Sequence, residues 1–74
     1  MLYKGDIVKI NMAVVKQHDS SPPYIQLVQK TIAKGDPKGS AEVVSVEGNK
    51  LEIDNSALPG MFSVWVPTDS ATLL

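Results

Sequence analysis

Few side chains in this 74-residue chain are of types that do chemistry, and their spacing limits what they can do. His18-Asp19 is the one adjacent histidine–carboxylate pair. With a single His, no Cys and no second ligand at helical spacing, it does not make a metal site, and a lone loop histidine is ordinarily solvated. The chain has no glycine-rich phosphate loop, no nucleophile elbow and no paired inward carboxylates. The expectation is a non-catalytic protein that needs no cofactor and no metal.

Residues suited to recognition are more evident. Trp65 is the only tryptophan, and it alternates with Val64 and Val66, so it points away from the face those valines share. An outward tryptophan on a strand suits a partner anchor. The plainer reading folds the long first loop over it to make a satellite core. Tyr24 follows Pro22-Pro23, a Pro-Pro-Tyr stretch that can form a polyproline II ligand turn or a stiff loop with a packed tyrosine. Lys30, Lys34 and Lys38 recur every four residues and, with Lys16, could line a basic edge for an acidic partner or nucleic acid. Such a row is more often a solvated surface, and Asp36 lies within it.

Composition narrows the partner. The formal charge is −1, from seven lysines and eight carboxylates, and there is no arginine. Arginine supplies the bidentate contacts that dominate phosphate and guanine recognition, so its absence, with a pI near 5.6, disfavours nucleic acid. The lack of cysteine removes disulfides and fits a reducing compartment. The opening Met-Leu-Tyr-Lys-Gly-Asp becomes charged at once, and no apolar run reaches the ~20 residues of a membrane helix. The expected setting is soluble and not secreted: cytoplasm or an organelle stroma. The length fits a single domain over residues 1–74.

The elements that must position these residues are short. Ile7-Val8-Lys9-Ile10 reads as a strand after a Gly-Asp turn, with Val8 and Ile10 inward and Ala13-Val14-Val15 continuing it past a bulge. A polar loop runs over residues 17–23. Over residues 24–34, Tyr24, Leu27, Val28, Thr31 and Ile32 form a helical stripe, with Ser21 as cap, Pro22 in the first position and Gly35 as stop. A strand in a long first loop is the competing reading. Residues 34–39, with two glycines and a proline, form a loop. Ala41 to Val46 is a strand with a bulge or two-sided burial, Gly48-Asn49 a tight hairpin, and Leu51 and Ile53 the inward residues of the next strand. A loop over 55–60 leads to a fourth strand with Phe62, Val64 and Val66 inward. Pro67 ends it before a turn and a short last strand.

That order resembles the second half of an SH3-like barrel. Lys4-Gly5-Asp6 with Val8, Pro23-Tyr24, Lys38-Gly39 with Glu42-Val43, Gly48, Val64-Trp65 and Asp69 are similar in order and spacing to the small O subunit of the photosynthetic NADH dehydrogenase-like complex. The E subunit of photosystem I and the variable chain of ferredoxin–thioredoxin reductase are other small barrels of this kind. The O-subunit family is richer in arginine, and residues 16–38 diverge from it. The resemblance implies an all-β, SH3-like five-stranded small barrel with a long first loop that carries one short helix. It further implies an accessory subunit or protein-interaction module docking on a larger assembly, with Trp65, Tyr24 and the 17–39 loop at the contact. The alternative is a nucleic-acid-binding barrel using Lys30, Lys34 and Lys38. Self-association through an open barrel edge is a third reading. Proline-peptide binding of the signalling kind is disfavoured, because Ser70 or Ala71 stands where its tyrosine would be.

Overall fold

The computed structural model describes residues 2–35, 37–54 and 63–74. Five strands, β1 (Ile7–Ile10), β2 (Ser40–Glu47), β3 (Lys50–Asp54), β4 (Val64–Pro67) and β5 (Ala71–Leu73), form one sheet in the order β4-β3-β2-β1-β5. Every pairing is antiparallel. A 3₁₀ turn, Thr68–Ser70, carries the chain from β4 at one edge to β5 at the other. That step spans at most roughly 14 Å of extended chain. In a flat sheet the outer strands would lie about 19 Å apart. The sheet therefore curls, and the fold is barrel-like.

Two helices stand between β1 and β2: α1 (Met12–His18) and α2 (Pro22–Ala33). The all-β expectation with one short helix is thus corrected to a mostly β fold with two. Ala13, Val14 and Val15 do not extend β1. The side chain of Asn11 accepts from the Ala13 amide and caps α1, while Lys16 and His18 in its last turn suit the helix dipole. The Asn11 amide donates to the Ser70 carbonyl at 2.7 Å, and α1 packs on the 3₁₀ turn and β4. Seven residues are too few to be a stable helix alone, so these contacts hold it.

Residues 24–34 are helical rather than extended. Ser21 is the N-cap by position, but its hydroxyl donates to the Asp19 carboxylate and does not cap. Pro22 and Pro23 lack amides, which leaves fewer donors to satisfy at that end. The helix stops before Gly35, whose lack of a side chain is required: a β-carbon there would sit 2.0 Å from the Ser40 carbonyl oxygen.

Both helices bury their apolar stripes on one face of the sheet. Val15, Val28 and Ile32 meet Val8, Ile10, Ala41, Val43, Leu51, Ile53, Val64 and Val66 in a single cluster. The inward assignments of Val8, Ile10, Leu51, Ile53, Val64 and Val66 hold. Phe62 and the 55–60 loop lie outside the described residues. The β2–β3 hairpin turns on Gly48-Asn49, since Glu47 pairs with Lys50. Gly48 has φ +58° while no described non-glycine residue is positive, the pattern of a turn that is left-handed at its first central residue. The register shifts between Val43 and Ser45, the expected bulge. Its consequence is a change of parity along β2. Glu42 pairs with Asp54 and Glu47 with Lys50, so both glutamates fall on the face opposite the core although they are five positions apart.

Candidate docking face

Trp65 lies in β4, an edge strand, directly across from Glu52 of β3. Its neighbours Val64 and Val66 are buried in the core, so alternation sends the indole to the outer face. The side chain is half-buried and belongs neither to the core cluster nor to the residues packed against it. Lys50, one step along β3 on the same face, places its ammonium 5.1 Å from the centre of the indole ring. That is within the ~6 Å range of a cation–π contact.

Tyr24 reaches the same strand from the opposite face. It sits in the first turn of α2, packs against the core cluster, and its hydroxyl donates to the Trp65 backbone carbonyl at 2.7 Å. The tyrosine therefore fixes α2 to the β4 edge and satisfies one carbonyl of an edge strand. Burial, and to a lesser degree the negative charge of Asp19, push its hydroxyl pKa above the ordinary value. Tyr24 and Trp65 are brought together through the β4 backbone, the tyrosine hydroxyl meeting the tryptophan's carbonyl.

The lysines are placed apart from this face. Lys30 is in the last turn of α2, Lys34 is its C-cap, and Lys38 lies in the following loop; all three are exposed. Lys30 and Lys34 stand where the helix dipole favours a positive charge. Asp36 lies outside the described residues. His18 and Asp19 are exposed as well. Asp19 is committed to structure, accepting from the Ser21 amide at 2.9 Å and the Ser21 hydroxyl at 2.8 Å. These two bonds, the amide's first, lower its pKa; desolvation opposes them, and the charge of His18 adds the smallest lowering. Among the described residues no group of three or more His, Cys, Asp or Glu could hold a metal ion, and no helix is long and apolar enough to cross a membrane.

Two features escaped sequence reading. The first is that Lys50 and Glu52 neighbour Trp65: alternation already turned Glu52 outward, but its pairing with Trp65 and the approach of Lys50 follow from the register of β3 and β4. The second is an open apolar groove of about 520 Å³ where Leu2, Val46 and Leu73 meet near the 3₁₀ turn. Val46 sits on the core side because of the bulge, yet is 41% exposed, and Leu73 is 57% exposed on the second edge strand, β5. That groove joins residues far apart in sequence and has no local signature. Comparison of the chain with protein families, curated proteins and solved structures finds no match.

Proposed function

We propose that this chain is an SH3-like small barrel that acts as a non-catalytic protein-interaction module, an accessory subunit docking on a larger protein assembly through the outer face around Trp65. Support for the barrel type is the strand order β4-β3-β2-β1-β5 with a Pro67-led 3₁₀ turn returning β5 to β1. The observation that carries the docking reading is the indole of Trp65, held outside the core on an edge strand whose backbone Tyr24 anchors. A large aromatic of this kind, rigidly mounted and only half-buried, is the residue type that dominates protein interfaces. A cysteine-free chain of this composition suits the cytoplasm or a stroma.

The test is recovery of the tagged chain from native lysate at low salt, with and without nuclease. A stoichiometric protein set that survives nuclease and is depleted by Trp65→Ala supports the reading. Recovery that collapses with nuclease, or is lost on substituting Lys30, Lys34 and Lys38 instead of Trp65, would replace it with a nucleic-acid-binding barrel.

A further inference from the structure

Over β2, β3 and β4 the sheet's outer face carries more acid than base, and Lys9 of β1, which alternates with the buried Val8 and Ile10, lies on the same face further from Trp65. Register places Glu42, Glu47, Glu52 and Asp54 there, four of the chain's eight carboxylates, with Glu52 directly opposite Trp65 and Glu42 and Glu47 one strand further on, against Lys50 alone from β2, β3 and β4. Asp54 is buried and already partnered within the fold. Glu42 and Glu52 are half-buried and Glu47 is exposed. Independently of those carboxylates, the indole already carries a cation, the Lys50 ammonium at 5.1 Å.

We infer that the docking partner presents an arginine side chain to this face, stacked on Trp65 and paired with Glu52, and that Lys50 is its intramolecular stand-in. This rests on the docking reading above and names the partner's chemistry. The face has an aromatic platform and a carboxylate directly across the strand from it. A planar guanidinium can stack on the first and pair with the second, whereas an ammonium is a compact, strongly hydrated point charge on a flexible stem. A partner's arginine can therefore displace Lys50. These 74 residues contain no arginine, so the group has to come from outside them. The negative field also opposes nucleic acid at this face.

The experiment titrates the full chain with an acetylated tri-arginine amide and follows the emission of its single tryptophan, with tri-glutamate as control. The expected result is a saturable change with tri-arginine only. Lys50→Ala should bind several-fold more tightly, and Glu52→Gln should weaken binding about tenfold. The inference is overturned by an emission that does not respond, or by wild type, Lys50→Ala and Glu52→Gln binding alike while circular dichroism shows each folded. The two readings fail separately. Partner capture that needs Trp65 but ignores Lys50→Ala and Glu52→Gln removes the arginine and leaves the docking face; capture that ignores Trp65→Ala removes the docking face itself.

Discussion

The hydroxyl of Tyr24 donates to the backbone carbonyl of Trp65 at 2.7 Å, joining residues 41 positions apart. One side chain of α2 thereby occupies a carbonyl of an edge strand and sets the height of the helix over β4. The indole on the other side of that strand is left to contact Lys50. The helix and the candidate docking face are thus linked through the β4 backbone.

Tyr24→Phe should keep the packing of the ring and lose that bond. The expected cost is about 1 kcal/mol, read by urea denaturation, with a larger loss if the carbonyl finds no other donor. The same variant has a pH signature. Burial raises the Tyr24 pKa in the folded state, so its contribution is complete below the ordinary tyrosine value of 10.0 and fades as pH rises through the higher folded value. Wild type should lose stability relative to Tyr24→Phe above about pH 10. Parallel stability curves for the two proteins would show that the hydroxyl is not engaged.

Asp19 works in the opposite direction. Its bonds from Ser21 depress its pKa, so its contribution is present above the unfolded value and lost as pH falls through the lower folded one. Asp19 joins the end of α1 to the start of α2: its backbone amide donates to the Val15 carbonyl at 3.0 Å while its carboxylate accepts from Ser21. Asp19→Ala should flatten the acid limb of the stability curve below about pH 4. An acid limb unchanged in the variant would assign that dependence to other carboxylates.

Gly35→Ala should be among the most damaging small substitutions. The added methyl would meet backbone, the Ser40 carbonyl oxygen at 2.0 Å and its carbon at 2.8 Å, and backbone cannot rotate away as a side chain can. A loss of about 2 kcal/mol or more is expected in thermal or chemical unfolding. Wild-type stability would mean that the α2–β2 connection does not fold back as described.

Asn11→Ala should cost about 1 kcal/mol through loss of the α1 cap, while Asn11→Asp should be tolerated. This pair of variants bears on the element that was hardest to read from sequence. Ala13-Val14-Val15 carries two β-branched residues beside a strand, and local preference favours continuing it. The signal against was Asn11, a capping residue one place ahead of the helix, with basic residues at its far end. The decisive contacts, to Ser70 and β4, are non-local and leave no mark in the local pattern.

Elsewhere the chain was more legible. Tyr24, Leu27, Val28, Thr31 and Ile32 fit a helical period, Leu51 and Ile53 a strand period, and Gly48-Asn49 a hairpin, because each is a local constraint. Alternation alone put Trp65 on the outer face. What alternation could not show is the company it keeps. Glu42 and Glu47 share a face only because the register shifts between Val43 and Ser45, and the Tyr24 hydroxyl reaches β4 only through tertiary packing.

The most direct measurement of the docking account is calorimetric titration of the recovered partner with wild type and Trp65→Ala, both checked for folding. An anchor should cost about 2 kcal/mol or more on truncation, roughly a 30-fold loss of affinity. Equal affinity in a folded Trp65→Ala would contradict the account and return the indole to a role in packing.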